Sequence, residues 1–291
     1  FRRGIGGGDV FLIGIAIQGT QRMALKPWYE PSAQHPAYYL RYSWCAWPSA
    51  AWCGAAHEPI LTALTPLWEQ DGLRLLASAW SSERIQLTFS ARPDVSPATL
   101  AGRAKGRLQH AMRHGNCSFP GFSRKLSVRA VGDNHTDEVI NYLCRQVDKE
   151  QFADSGFREK LREFTTICRD VDFSVPSDSA RGRYWYNLHL VLVTEERFRI
   201  ASREKLARIY SVSFQIAAKK GYSIGALSVM PDHLHVALRG NIQHSPQEIA
   251  LSFQNNLAFA IGRCRLWRDT YYVGTFGEYD FGAIRARVAG R

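Results

Sequence analysis

An internal repeat is the sequence feature that most constrains how this chain can fold. The segments 72–80 and 221–229 each lead into an alternating apolar stretch and, seven residues after it, into a Ser-Pro pair, Ser96-Pro97 and Ser245-Pro246. The offset between corresponding residues is 149 throughout. Because several elements in one order at one offset mark a duplicated structural unit, the sequence predicts two tandem copies of one domain.

Each copy shows the same coarse pattern of elements. An aromatic strand (38–47 and 184–193) precedes an amphipathic helix (about 58–70 and 203–219), two alternating strands, a helix starting at Ser-Pro, and a last strand and helix. Ser is suited to cap such a helix and Pro to occupy its first turn. This order predicts an α+β fold in which each unit is an antiparallel sheet with helices packed on one face, like a ferredoxin or RRM unit.

The predicted organisation has four parts. Residues 1–22 are interpreted as an irregular leader, and residues 23–146 as the first copy. Residues 147–182 are polar and rich in charge, as a connector should be, and 183–291 form the second copy. The final helix is predicted at 136–146 in the first copy and at 281–291 in the second.

The charge balance favours a polyanionic partner. Lys and Arg number 37 against 26 Asp and Glu, which gives a net charge of +11. Nucleic acid is the commonest partner of such a surface, with an anionic membrane or a merely solubilising basic surface as alternatives. The six cysteines form no Cys-x-x-Cys pair, so we expect neither a zinc ribbon nor a disulfide framework, and a cytoplasmic location. The apolar run 10–17 is too short to span a bilayer.

The second copy contains the clearest candidate for chemistry, His233-Leu234-His235 on an alternating strand. Both imidazoles therefore lie on the same face, with Leu234 on the other. Such a pair can clamp a divalent metal ion. Two histidines on one face can equally well be part of the structure alone.

Residues 229–238, Val-Met-Pro-Asp-His-Leu-His-Val-Ala-Leu, resemble the His-hydrophobe-His signature of the single-tyrosine HUH transposases. These are the small insertion-sequence transposases and their REP-associated relatives. The order of elements is similar too, including the late run 266–277, and the resemblance covers nearly all of 38–146 and 184–291. It implies that the two copies form an intramolecular pseudo-dimer, in which the tyrosine helix of one unit docks against the histidines of the other.

The two copies retain different parts of that family's site. His233 and His235 correspond to Arg84 and Gln86 in the first copy. The first copy instead has Tyr142 and Gln146 at the positions of the family's nucleophile and third metal ligand, where the second copy has arginines, Arg287 and Arg291. The spacing i to i+4 places Tyr142 and Gln146 on one helical face. The resemblance thus implies one composite site, although Tyr142 could also be an ordinary aromatic residue of an amphipathic helix.

The activity that the resemblance implies is metal-dependent nicking and rejoining of single-stranded or hairpin DNA. Mg²⁺ or Mn²⁺ held by His233, His235 and Gln146 would stabilise charge on the phosphate, and Tyr142 would form a 5′-phosphotyrosine. Arg84 and three tryptophans, Trp44, Trp47 and Trp52, are further candidates for DNA contact, although tryptophans at strand spacing more often pack in a core. The candidate phosphate contacts are Arg103, Lys105, Arg107, Arg263, Arg265 and Arg268.

Two other functions stay open. A catalytically silent, domesticated protein that binds a DNA hairpin would need no nucleophile, so the retention of Tyr142, Gln146, His233 and His235 argues against it. An RNA-binding protein on a ferredoxin-like sheet would usually show an aromatic motif that this sequence lacks. The protein is expected to have no membrane partner and to be a monomeric pseudo-dimer.

Overall fold

The computed structural model describes residues 26–52, 57–114, 119–149, 155–180 and 182–279. The predicted leader 1–22 and the predicted final helix 281–291 lie outside the described residues. The part that was predicted as the first copy contains β1 (Ala37–Tyr39), β2 (Arg41–Pro48), α1 (Glu58–Gln70), β3 (Leu73–Trp80), β4 (Ile85–Ala91), α2 (Pro97–His114), β5 (Phe122–Val131), α3 (Thr136–Cys144) and α4 (Gln146–Lys149).

The remaining elements come from the connector and the second copy. The connector contributes α5 (Ser155–Arg162), β6 (Thr165–Ile167) and β7 (Ser177–Ser179). The second copy contains β8 (Gly182–Trp185), β9 (Asn187–Thr194), α6 (Arg203–Lys220), β10 (Ser223–Val229), β11 (His233–Arg239), α7 (Pro246–Ile261) and β12 (Trp267–Thr275). The α+β class predicted from the sequence is therefore confirmed. Among the described residues, no helix is long and apolar enough to cross a membrane.

The strands form two sheets of six. The first sheet has the order β3-β4-β2-β5-β8-β7, and the second has the order β1-β12-β9-β11-β10-β6. In each sheet, four strands of one copy are antiparallel neighbours, β3-β4-β2-β5 in the first and β10-β11-β9-β12 in the second. The two sheets thus have matching topologies, as a duplicated pair of units should.

The two units exchange their opening strands. Strand β1 leaves the first unit and pairs in parallel with β12 of the second, and β8 pairs in parallel with β5 of the first. A single buried residue separates the two strands in each case, Leu40 between β1 and β2 and Tyr186 between β8 and β9. The connector also joins both sheets, because β6 adds to the second and β7 to the first. This reciprocal exchange makes each sheet depend on backbone from both halves.

The hairpins confirm the alignment at offset 149. Trp80 pairs with Ile85 in the first sheet, and Val229 pairs with Leu234 in the second. Each hairpin is interrupted by a register shift at the same place, 75/77 in β3 and 224/226 in β10. Gln86 is therefore the structural equivalent of His235, and Arg84 that of His233.

Helices cover one face of each sheet, and both of the Ser-Pro segments begin a helix as predicted. Ser245 accepts a hydrogen bond from the backbone N–H of Glu248, whose side chain accepts one from the Ser245 N–H. This capping box satisfies backbone donors that a helix start would otherwise leave unpaired. The side chains of α6 and α7 pack together and line the core with the apolar faces of β9 and β11.

The polar run 254–256 on α7 is part of the core. All three side chains are buried. The Asn255 side-chain oxygen accepts hydrogen bonds from the backbone N–H groups of Trp28 and Tyr29, at 2.8 and 2.9 Å. Gln254 donates to the side-chain oxygen of Gln34. The amides of α7 thus fasten the segment before β1 to the second unit.

Candidate functional site

Helix α3 crosses from the first unit to the second sheet. Its buried residues Val139 and Leu143 pack in a cluster with Phe173, Ala226 and Phe276, all of which come after residue 150. The helix lies against β6, β10 and β11. Helix α3 of the first unit thus presents its remaining side chains at the face of the second sheet that α6 and α7 do not cover.

The histidine strand β11 lies between β9 and β10, so its side chains stand in the middle of the sheet. Leu234 points into the core, with no exposed surface. His233 and His235 are on the other face, the one that α3 partly covers, and their ring centroids are 5.0 Å apart. The strand alternation therefore places the pair as the sequence predicted.

Tyr142 packs against the imidazole of His235 and that of His189, a residue of β9. Its ring centroid is 5.4 Å from that of His235 and 6.0 Å from that of His189, with both pairs edge to face. The phenol keeps 42% of its surface exposed. An aromatic residue placed only to fill the core would be covered, so this exposure leaves the hydroxyl accessible to a substrate.

Gln146 lies one turn after Tyr142 and is buried. Its side-chain amide nitrogen donates to the backbone oxygen of Tyr142 at 2.7 Å. Within the described part of the chain, Gln146 forms no hydrogen bond with His233 or His235. Gln146 thus begins α4, after α3 has ended at Cys144, and its side chain is bonded to the last turn of α3.

The carboxylate of Asp232 holds His233. Its Oδ1 is 2.7 Å from His233 Nδ1, and its Oδ2 accepts a hydrogen bond from Arg197 at 3.1 Å. The turn before β11 brings the side chain back beside the ring. The hydrogen bond from His233 lowers the pKa of Asp232 to about 2, so the carboxylate stays charged at neutral pH. Because Nδ1 of His233 is bonded to Asp232, Nε2 is the ring nitrogen that remains for a ligand.

A third imidazole, which the sequence analysis did not select, supports His235. His189 Nε2 lies 3.0 Å from His235 Nδ1, and the two rings are stacked. Burial lowers the pKa of His189 to about 4, and burial and the neighbouring His189, His233 and Lys149 lower the pKa of His235. Both rings are therefore neutral at pH 7. In the tautomer in which His235 Nδ1–H donates to His189 Nε2, the Nε2 lone pair of His235 is available to a ligand.

Two further side chains at the site were also missed. The ammonium group of Lys149 lies 3.7 Å from the ring centroid of Tyr142. Lys149 follows Tyr142 by seven residues, two helical turns, so the helical period alone could have indicated it. Tyr272 on β12 has its ring 5.9 Å from that of His189. Only the pairing of β12 with β9 brings it to this face.

The donor set fits a divalent metal ion in part. Two imidazole Nε2 atoms on one face, each oriented by a partner at Nδ1, are suitable nitrogen ligands for Mn²⁺ and related ions. Among the described residues there is no cluster of three or more His, Cys, Asp or Glu side chains that could hold a metal ion. A third protein ligand would therefore have to be an amide such as Gln146, with water or substrate oxygens completing the shell.

The residues predicted to contact phosphate lie on two surfaces. On α2, Arg107 and Arg103 form ion pairs with Asp71, and Lys105 donates to the backbone oxygen of Ser123. Hydrogen bonds from Arg107 lower the pKa of Asp71. The second group is exposed at the start of β12, where Arg263 stacks on Phe198, Arg265 lies 3.9 Å from Asp269, and Arg268 is exposed.

The fold and the site together define a class of protein, one with two joined α+β units and a tyrosine–imidazole site at their junction. Comparison with known families shows what part of the chain resembles. Residues 183–289 match the family described as Transposase IS200 like. The second half of the chain is therefore similar to IS200-like transposases.

Two other comparisons add little. A solved structure of a protein assigned as a transposase from Deinococcus radiodurans R1 is similar over 36% of this chain and 88% of its own length, with 23% identity and a TM-score of 0.30. The similarity of residues 183–289 to IS200-like transposases does not depend on that structure. No match to a curated protein is found.

Proposed function

We propose that this protein is a transposase-derived enzyme that nicks and rejoins single-stranded or hairpin DNA through one composite active site. The observation that supports this most strongly is the position of Tyr142, a residue of the first unit, over His235 of the second. Tyr142 comes from the first copy and the histidine pair from the second, and the packing of α3 on the second sheet brings them together. A protein that only bound DNA would have no need to keep this nucleophile beside the imidazole pair.

In the proposed reaction the Tyr142 hydroxyl oxygen attacks the phosphorus of a DNA phosphodiester. A Tyr142 Oη–P bond forms and the bond from phosphorus to the 3′ oxygen breaks. The phenol proton is transferred overall to the leaving 3′ oxygen, which gives a 5′-phosphotyrosine and a free 3′-hydroxyl. The reverse attack by a 3′-hydroxyl rejoins strands, and no nucleotide cofactor is needed because the covalent bond conserves the phosphodiester.

The surrounding residues have separate roles in this proposal. His233 and His235 would hold a metal ion through their imidazoles, and Gln146 would be the third protein ligand. Asp232 and His189 fix the orientation of the two rings. A bound Mg²⁺ or Mn²⁺ would withdraw charge from the scissile phosphate. Lys149 adds positive charge on the side of Tyr142.

The partner and the location follow from the same proposal. The excess of basic residues suits single-stranded or hairpin DNA, and we expect the protein to act in the cytoplasm as a monomeric pseudo-dimer. The alternative is a domesticated hairpin-binding protein without catalysis. In that case the side chains around Tyr142 would serve only to dock α3.

Covalent trapping tests the proposal. The protein is incubated with labelled hairpin oligonucleotides and Mn²⁺, and an adduct is sought on a denaturing gel. We expect an adduct that is lost in Tyr142→Phe while DNA binding is retained, and that persists in the control Tyr38→Phe, which removes an exposed phenol from β1. An adduct that survives Tyr142→Phe would remove Tyr142 from its role, and binding without any adduct would favour the silent binder.

A further inference from the structure

The first sheet has a face equivalent to the one that carries His233 and His235 in the second. At the equivalent positions, aromatic side chains are replaced by smaller polar ones. Where the second sheet has His235, His189 and Tyr272, the first has Gln86, Ser43 and Ser127, as the strand pairings show. Gln86 Nε2 donates to Ser43 Oγ at 3.0 Å, in the place of the contact between His189 and His235. At these three positions the first sheet has no aromatic ring, but it keeps hydrogen-bonding groups.

We propose that this first-sheet face, defined by Trp47, Arg84, Lys125, Arg183 and Trp185, is a second, non-catalytic site that holds single-stranded DNA. The choice of DNA rests on the function proposed above. The existence of a binding site rests on three observations, a cavity, a set of cations and two aromatic side chains.

A cavity of about 720 Å³ opens on this face. Ser127 and Arg183 are direct neighbours across β5 and β8, and the cavity continues between Trp47 and Trp185. Its size suits one or two nucleotides of an unpaired strand. A duplex would be too wide to enter, and its bases would be stacked on one another and unavailable to the tryptophans.

The charges at the cavity match a phosphate backbone. Among the described residues, the cations at and beside it outnumber the carboxylates that pair with them, Asp178 at 3.4 Å from Arg183 and Glu278 at 3.5 Å from Arg129. The cations are Arg84, Arg124, Lys125, Arg129 and Arg183. In place of His233, the first copy thus has a guanidinium, Arg84, which binds phosphate but is no metal ligand.

The two aromatic side chains are placed differently from those in the core. Trp44 and Trp52 are buried, whereas Trp47 is half-buried at the cavity. Trp185 is fixed by a hydrogen bond from its Nε1 to the backbone oxygen of Ser174 at 2.6 Å, and the guanidinium of Arg129 stacks on its ring at 3.9 Å. Aromatic rings beside cations are the usual components of a surface that binds unpaired nucleic acid regardless of sequence.

Fluorescence anisotropy with a labelled oligothymidylate of about 16 nucleotides tests the proposal. The double variant Lys125→Glu/Arg183→Glu should lose affinity at least tenfold. The slope of log K against log salt concentration should become shallower by about 1.4, because each phosphate contact on a single strand contributes about 0.7 to that slope. The variant Trp47→Ala should lose about tenfold through stacking. The control Lys205→Glu/Arg208→Glu makes the same change in charge on exposed positions of α6 and should bind like the parent.

The outcomes separate this inference from the proposed activity. Equal losses in the Lys125/Arg183 and Lys205/Arg208 variants would overturn the site, even if the parent forms the Tyr142 adduct. A selective loss with no adduct in the parent would leave the site standing and overturn the activity. Tighter binding of oligouridylate than oligothymidylate, lost in the same variants, would overturn DNA as the occupant. Thermal melts of each variant show that the fold is intact, and the exposed charge pair tests the site if Trp47→Ala fails to fold.

Discussion

The ring of Tyr142 meets the ring of His235 edge to face, with centroids 5.4 Å apart, although the two residues belong to different units of the chain. The contact depends on α3 leaving its own unit to pack on the second sheet. Neither unit alone therefore has both side chains, and the variants below ask what holds them in this geometry.

The variant Asp232→Asn should weaken Mn²⁺ binding by 10- to 100-fold, because an oriented imidazole loses the charged partner at Nδ1. The titration is made calorimetrically without DNA, so the result does not depend on activity. Asp170→Asn, an exposed position before β7, is the matched control. Unchanged Mn²⁺ affinity in Asp232→Asn would mean that His233 is not a metal ligand or needs no support.

Two substitutions of His189 should differ. His189→Leu removes the atom that contacts His235 Nδ1, so Mn²⁺ affinity should fall about tenfold, whereas His189→Gln keeps a polar group near the position of Nε2 and should retain most of the affinity. The same calorimetric titration measures both. If both variants bind Mn²⁺ equally weakly, His189 supports His235 by packing and not by its hydrogen bond.

The variant Lys149→Gln should slow adduct formation by about 10- to 100-fold at saturating DNA. The ammonium group of Lys149 lies 3.7 Å from the ring centroid of Tyr142, and preorganised charge of this kind stabilises a transition state. A single-turnover time course measures the rate. Lys149→Arg should recover part of it, and a Gln variant as fast as the parent would exclude an electrostatic role.

The junction of the two units can be tested at Gly132. A Cβ there would lie 2.4 Å from the backbone oxygen of Thr275, and one at its equivalent Gly277 would lie 2.9 Å from that of Ala130. Because backbone cannot move aside cheaply, Gly132→Ala should lower the free energy of unfolding by about 1–3 kcal/mol. Gly102→Ala in α2, where a Cβ meets nothing, should raise it by about 0.5–1 kcal/mol. Urea denaturation measures both.

We expect His244 to make the folded protein less stable as the pH is lowered. Burial lowers the pKa of His244, so the folded protein binds its proton less readily than the unfolded chain, whose histidine titrates near pH 6.5. Stability from this group is therefore present above about pH 6.5 and is lost as the pH falls toward the folded pKa.

The partners of His244 allow a matched variant. Its Nδ1 lies 3.0 Å from the Tyr222 hydroxyl, and Glu248 and Lys220 oppose each other in their effect on its charge. His244→Asn keeps an acceptor near Nδ1 but does not titrate. Its melting temperature should change less between pH 7.5 and 5.5 than that of the parent, and identical pH profiles would contradict this account.

Local chemistry and the repeat made much of the fold predictable. The Ser-Pro helix starts, the offset of 149 and the alternation around Leu234 are properties of neighbouring residues, so they could be read directly, and the face of His233 and His235 followed from them. The pairing of Tyr142 with the second copy came only from resemblance, because the residues themselves do not specify which sheet α3 covers.

Tertiary structure alone decided the rest. The exchange of β1 and β8, the return of Asp232 to His233, and the approach of His189 and Tyr272 all depend on which strands become neighbours. Sequence patterns repeat over two to four residues and therefore fix which way a side chain points on its own element. Contacts between residues far apart in the chain depend on the packing of whole sheets, and that packing brought the two halves of the site together.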